Sequence, residues 1–217
     1  MRADAARNLE LVLRTGARLL ADDPSASIAA IAAAAGVDRR TVYRRFSSRD
    51  ELLTAVFQAR YDAVEEAVEA ARLREAPVAV ALHRYVEGII AVNRAWPVEA
   101  GRLLAEDSVR ERRRRLIGKV DAFLRRATDE GLLRADLPPG WVSAILPPLV
   151  LRAAEDLPDL SPGQAADVVV DTLLRGVGAA YDGAPAKAGA DEDGIPGTER
   201  ASVAAEPARR VAPERRS

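Results

Sequence analysis

The sequence of 217 residues has no cysteine and a single histidine, His83. Disulfides, cysteine zinc sites, iron–sulfur clusters and thiol nucleophiles are therefore excluded, and we expect no metal site. A Gly-rich phosphate loop, metal-spaced ligands and a nucleophile constellation are also missing from the sequence. We therefore expect that the protein is not an enzyme, has no catalytic residues and needs no cofactor.

Long apolar runs are missing as well. No stretch approaches eighteen uncharged apolar residues, and charged side chains interrupt the first twenty residues at Arg7, Glu10, Arg14 and Arg18. This pattern differs from that of a membrane span or a signal peptide. We expect a cytoplasmic protein without membrane contact, and the apolar content of 48% is enough for a folded core.

The net charge gives no sign of a nucleic-acid partner, because 32 basic and 33 acidic side chains nearly cancel. The charges are unevenly distributed, however. Residues 39–49 include five arginines and no acid, namely Arg39, Arg40, Arg44, Arg45 and Arg49. Such a cluster is either a solvated helical face or a local basic patch that binds a polyanion.

The spacing of apolar residues predicts an all-α fold of about nine helices, and no alternating strand pattern is convincing. We expect helices at 5–21, 28–35, 39–45, 49–73, 77–95, 98–106, 108–133, 141–156 and 164–181. Pro147 and Pro148 lie inside the eighth of these and predict a kink or a break that opens a cavity. After Asp182 large apolar side chains almost disappear, so residues 183–217 are predicted to be a disordered tail.

The arginine cluster falls inside a pattern that is typical of a helix-turn-helix. Ser27 and Asp38 can cap two short helices, and Gly36 can adopt the left-handed conformation that a tight turn between them requires. Ser48 and Glu51 have the spacing of a capping box that begins the next helix. The side chains that can pack between the helices are Ile31, Val37, Val42 and Phe46. These coincident signals favour DNA binding over a solvated face.

The same region resembles the N-terminal signature of the TetR family of bacterial regulators. The resemblance covers about Leu9 to Val56, and the residues that carry it are Ile31-Ala32, Ala35-Gly36-Val37, Thr41-Val42-Tyr43, Phe46-Ser47-Ser48 and Glu51-Leu52-Leu53. It implies a three-helix DNA-binding domain at 1–48, called the head below. It also implies a helical domain for effector binding and dimerisation at 49–182, called the body, whose last two helices pair with those of a second copy.

The resemblance further implies contacts between individual side chains and DNA. The residues expected at base edges or in the groove are Arg39, Arg40, Thr41 and Arg45. The residues expected at the phosphate backbone are Ser27, Ile28, Tyr43 and Arg49, with Arg45 as a further candidate. Arg40 departs from the family's usual glycine, glutamine or proline, and two adjacent arginines favour guanine contacts, each worth about 1–3 kcal/mol of discrimination.

The body has no motif of its own, so its effector residues are hypotheses based on residue type alone. The candidates are polar or aromatic side chains on mostly apolar helices, namely His83, Asn93, Trp96, Trp141 and Arg152. The helix that contains Pro147 is expected to form one wall of the pocket. An apolar or amphipathic small molecule is the expected class of effector.

The function predicted from these features is a homodimeric repressor that binds a palindromic operator in double-stranded DNA and is released by a small-molecule effector. The alternative is an all-α ligand-binding or scaffolding protein whose DNA-binding head is not functional. Alanine substitution of Arg39 and Tyr43 separates the two hypotheses, because only a DNA-binding protein loses operator affinity while remaining a folded dimer.

Overall fold

The computed structural model describes residues 2–98 and 107–177 of the chain. These residues form eight α-helices and no strand, which confirms the predicted all-α class. The helices are α1 (Arg2–Asp22), α2 (Ile28–Ala34), α3 (Arg39–Arg45), α4 (Arg49–Ala70), α5 (Val78–Ala95), α6 (Asp107–Asp129), α7 (Trp141–Asp156) and α8 (Pro162–Val177). Apart from its first residue, the helix predicted at 98–106 lies outside the described residues, as does the predicted tail at 183–217.

Side-chain caps set the starts of α2, α3 and α4, as the sequence predicts. The Ser27 hydroxyl accepts from the Ala30 amide at 3.1 Å, and the Ser48 hydroxyl accepts from the Glu51 amide at 3.1 Å. Asp38 caps α3 by accepting from two amides. The Glu51 carboxylate accepts from the amide and hydroxyl of Ser47, one residue before the N-cap. Each cap satisfies amides that the first helical turn leaves without partners.

The turn between α2 and α3 depends on Gly36, which has a φ of +63°. Its amide donates to the Ala33 carbonyl at 3.1 Å, and the Val37 amide donates to the Ala32 carbonyl at 3.0 Å. This pair of bonds is a Schellman motif, which ends a helix and needs a left-handed residue at this position. The turn therefore fixes the angle at which α3 leaves α2.

Two hydrophobic clusters form the interior. The head cluster contains buried side chains of α1–α3, the first half of α4, and the segment at the end of α5. The body cluster contains buried side chains from the second half of α4 through to α8. Because α4 contributes Leu52, Val56 and Phe57 to the head cluster and Tyr61 and Val68 to the body cluster, one helix connects the two.

The helix α5 lies at the centre of the body and packs against α4, α7 and α8. Its crossing with α4 is close at Gly88, where an added Cβ atom would lie 3.0 Å from the Cβ of Ala67. At the other end of α5, the Arg94 guanidinium donates to the carbonyls of Ala154, Leu157 and Leu160 at 3.3, 2.7 and 2.7 Å. Arg94 thereby satisfies the Ala154 carbonyl, which the end of α7 leaves without a helical partner, and it connects α5 to the segment that follows α7.

The helix α7 is continuous from Trp141 to Asp156, with Pro147 and Pro148 inside it. Of the predicted alternatives, a kink or a break, the break is therefore not present. Each proline removes one backbone hydrogen bond, but the buried side chains of Leu146 and Val150 on either side hold this segment against the body. In the part of the chain that the structure describes, no helix has both the length and the apolarity needed to cross a membrane.

Ion pairs fix α6 along α4. Arg112 donates to Glu65 at 2.5 and 2.7 Å and also to Asp62, and Lys119 pairs with Glu69. The hydrogen bonds to Glu65 raise the pKa of the Arg112 guanidinium, and the same contact lowers the pKa of the Glu65 carboxyl. Since later residues of α6 meet later residues of α4, the two helices run in the same direction.

Candidate functional site

The outer face of α3 is basic. Val42 is the buried residue of this helix and packs into the head cluster. Arg40 and Arg44 lie one turn apart on the opposite face, and both are exposed. The helix contains four arginines and no acid, and its two C-terminal arginines also complement the negative end of the helix dipole.

Arg39 and Tyr43 form a pair on one flank of this face. The guanidinium lies 5.1 Å from the centre of the tyrosine ring and donates to the tyrosine hydroxyl at 3.4 Å. Tyr43 is 41% exposed. The contact orients both side chains before any ligand arrives, because a cation over an aromatic face restricts their rotamers. Thr41 and Arg45 occupy the other flank, with Thr41 half-buried and Arg45 exposed.

Arg44 is missing from the residues that the sequence predicts at DNA. It lies four residues after Arg40, so the helical period alone places both on one face. The family positions do not include this residue, whereas a count of helical turns from the buried Val42 does. We therefore add Arg44 to the candidate surface.

Two of the predicted backbone-contacting residues have structural roles in the head. The hydroxyl of Ser27 is used as the N-cap of α2, and Ile28 is buried in the head cluster. Burial leaves the backbone of Ile28, and not its side chain, available for the predicted contact. Arg49 is half-buried and donates to the carbonyls of Ala26, at 3.0 Å, and Pro24. Its guanidinium thus connects the start of α4 to the loop before α2.

The body forms a cavity of about 630 Å³ between α4, α5, α6 and α7, and the cavity is open to solvent on one side. Asn93 is the predicted effector residue that lines it. The apolar lining includes Val64, Val68, Ile89, Leu116, Val120, Leu124, Leu146, Pro147, Pro148 and Val150. The helix that contains Pro147 forms one wall of this cavity.

The other four predicted effector residues lie away from this cavity. His83 contacts Asp167 through Nε2 at 2.9 Å, and Trp96 is buried in the head cluster beneath the Arg14 guanidinium. Trp141 is 50% exposed at the start of α7. Arg152 pairs with acids of its own helix, Glu155 and Asp156. The structure therefore does not bring these four side chains together with Asn93.

Arg60 is a lining residue that the sequence analysis does not single out. It is half-buried, and it donates through Nε to the Val98 carbonyl and through Nη2 to the Asn93 side-chain oxygen, each at 3.1 Å. Burial lowers the pKa of its guanidinium. Its sequence signal is weak, because an arginine on a long charged helix usually faces solvent.

A second polar group lies on the α6–α7 side of the cavity. The Ser143 hydroxyl donates to the Asp121 carboxylate at 2.7 Å. Tyr85 is buried beside them, and burial together with the charge of Asp121 raises the pKa of Tyr85 to about 12. The tyrosine therefore stays a neutral hydrogen-bonding group at ordinary pH.

Comparison with known proteins supports the resemblance noted in the sequence. The family model of bacterial regulatory proteins of the tetR family matches residues 12–56. The HTH-type transcriptional repressor LfrR of Mycolicibacterium smegmatis is 30% identical over 174 residues, which cover 79% of this chain and 90% of LfrR.

Solved structures of the LfrR regulator from Mycobacterium smegmatis have the same fold. The structure in complex with proflavine has a TM-score of 0.62 and 29% identity, covering 79% of this chain and 98% of that one. A second LfrR structure has a TM-score of 0.61 and 27% identity, covering 81% and 98%. The chain therefore belongs to the TetR family and is a transcriptional regulator with an N-terminal helix-turn-helix.

Proposed function

We propose that the protein is a repressor that binds a palindromic operator as a homodimer and is released when a small molecule enters the body cavity. The observation that carries the proposal is the exposed basic face of α3, set on a capped two-helix unit. The similarity to LfrR, a repressor, supports the same direction of regulation.

In the proposed complex, α3 enters the major groove. Arg39, Arg40 and Thr41 reach base edges. Arg44, beside Arg40 on the outer face, and Arg45, on its flank, reach bases or phosphates. The Tyr43 hydroxyl binds a phosphate, which is consistent with its exposure. Ser27, Ile28 and Arg49 position the N-terminus of α2 at the backbone.

The homodimer is proposed to form through α7 and α8. Large apolar side chains are exposed on these helices, with Trp141 at 50%, Leu151 at 43% and Val168 at 45%. Pairing α7 and α8 with the same helices of a second copy buries such side chains in a four-helix bundle. The two recognition helices then lie about 34 Å apart, one turn of DNA.

Effector release is proposed to act through the link between the cavity and the head. Arg60 lines the cavity and binds the Val98 carbonyl, while the Val98 side chain is buried in the head cluster. A ligand that displaces Arg60 therefore disturbs a segment packed against the head. Such a ligand releases DNA only if it binds more tightly to the conformation that does not fit the operator.

The test is selection of bound sequences from a random pool of double-stranded DNA, at a stated salt concentration because phosphate contacts dominate affinity. We expect enrichment of a palindrome with half-site centres about 10 base pairs apart. Arg39→Ala and Tyr43→Ala should weaken binding to this palindrome. Arg125→Ala, which removes an exposed arginine of α6, is the control. Absence of enrichment from a folded dimer contradicts the proposal and favours a head that does not bind DNA.

A further inference from the structure

The charges that line the cavity are not paired with one another. Arg60 donates to a carbonyl and to an amide oxygen, which are neutral acceptors. Among the side chains of residues 6–98 and 110–176, no carboxylate forms an ion pair with Arg60 or with Arg113, the second arginine of the lining. Asp121, the acid of the lining, accepts from the Ser143 hydroxyl instead.

The absence of a described acidic partner matters most for Arg60, because it is half-buried. Removing a charge from water is costly unless an opposite charge or several hydrogen bonds compensate. Two neutral acceptors compensate in part, and burial still lowers the pKa of the guanidinium. An anion in the cavity supplies the missing charge, since charge-assisted bonds from a guanidinium to an oxyanion are among the strongest hydrogen bonds in proteins.

The two arginines lie towards one end of the cavity. Arg60 contacts Asn93 in the last turn of α5. Because α4 and α6 run in the same direction, Arg113 in the early part of α6 is the lining residue of that helix nearest the Arg60 end. On α6, Asp121 lies eight residues after Arg113, and on α5, Tyr85 lies eight residues before Asn93. Eight residues correspond to about 12 Å along a helix. The positive and negative groups are therefore separated.

The lining between these two ends is apolar. It is formed by side chains from all four helices, among them Val64, Val68, Ile89, Leu116, Val120 and Leu146. A wholly polar anion leaves this surface without a partner, and a wholly apolar molecule leaves Arg60 without a counterion. The lining matches a molecule that has both parts.

We propose that the cavity binds an amphipathic organic anion, with its oxyanion group at Arg60 and Arg113 and its apolar part against the lining of α4–α7. The inference rests on the proposed function in one respect only, that the ligand of this cavity is the effector. The binding chemistry itself follows from the side chains that face the cavity.

The experiment compares three probes of equal chain length and different charge, namely decanoate, decanamide and decylammonium. Each is titrated calorimetrically into the full chain without DNA, at neutral pH and fixed salt. We expect decanoate to bind at least about tenfold more tightly than decanamide, since a hydrogen bond to a charged group contributes more than a neutral one. We expect decylammonium to bind most weakly.

Arg60→Gln and Arg113→Gln should each reduce the preference for decanoate over decanamide. Arg125→Gln removes an exposed charge outside the lining and should leave that preference unchanged. Arg113 is exposed, so its variant is expected to fold even if Arg60→Gln does not, and circular dichroism checks both. Glu99, which follows Val98 in the sequence, lies outside the described residues. The variant Glu99→Gln tests whether Glu99 is an acidic partner of Arg60. We expect this variant to gain no more than a little affinity for decanoate.

Four results overturn the inference, and three of them are obtained with the unsubstituted chain. These are equal affinity for the three probes, a preference for decylammonium, or failure of all three to bind. A preference for decanoate that survives both Arg60→Gln and Arg113→Gln also overturns it. Decanoate binding without release of the selected operator contradicts effector release but leaves the ligand class intact. Release of the operator by a different compound, with no decanoate binding, contradicts the ligand class but leaves effector release intact.

Discussion

The head and the body use arginine in opposite ways. The head exposes its arginines on the outer face of α3, where their charges remain in water. The body holds Arg94 and Arg60 half-buried, with their donors on carbonyl and amide oxygens of other elements. The comparison teaches that the burial of an arginine decides whether its loss affects binding alone or the stability of the fold as well. An exposed one is free for a partner, whereas a half-buried one also holds helices together.

The largest expected effect is the loss of Arg94. Arg94→Ala leaves the carbonyls of Ala154, Leu157 and Leu160 without this donor. We expect the free energy of unfolding to fall by about 3 kcal/mol, because hydrogen bonds to charged groups contribute about 1.5–3 kcal/mol and the carbonyl of the buried Ala154 loses its donor. Urea denaturation followed by circular dichroism measures the change.

Arg125→Ala is the matched control for this variant, since Arg125 is exposed. In a Trp141→Phe background, Trp96 is the remaining tryptophan and lies in the head cluster. Its fluorescence then reports unfolding of the head, for comparison with the circular dichroism of the whole chain. Equal stability of Arg94→Ala and Arg125→Ala contradicts the structural role of Arg94.

A smaller effect of a different kind is expected from the head. Arg40→Ala should weaken binding to the selected operator by about 2 kcal/mol, within the range for a base contact of an arginine. Its free energy of unfolding should stay close to that of the parent, because Arg40 is exposed. Fluorescence anisotropy with labelled operator gives the affinity. If Arg40→Ala lowers the free energy of unfolding as much as it lowers the free energy of operator binding, the contrast between head and body is contradicted.

The smallest effect is expected at the turn of the head. Gly36→Ala forces a side chain into the left-handed region, which costs about 1–2 kcal/mol. Nothing lies within 4 Å of the added Cβ, so the cost comes from the backbone alone. Gly118→Ala is the control, because it has equal space within α6 and should be neutral or stabilising. Both changes are measured by urea denaturation, and destabilisation by Gly118→Ala of the same size contradicts the account of the turn.

Much of the head can be predicted from its sequence. The starts of α2, α3 and α4 depend on caps that lie at most three residues from the amides they bind. The turn depends on one glycine and on bonds that span five residues or fewer. Arg44 is the omission here, and its position follows from the helical period.

The contacts of the body could not be predicted in the same way. Arg94 meets carbonyls 60 to 66 residues away, and Arg60 meets Asn93 across 33 residues. Of the five effector residues chosen by residue type, Asn93 lines the cavity while the other four lie elsewhere. Residue type does not reveal which face of a helix meets another helix when several faces are apolar.

The sequence by itself determined the helices, the turn and the basic face of α3, because caps, glycine and helical periodicity act over a few residues. Only the tertiary structure decided the crossing of α4 and α5, the direction of α6 along α4, and the cavity beside Arg60. The physical reason is that these features depend on how side chains distant in the chain pack and pair, and no local rule ranks the possible packings.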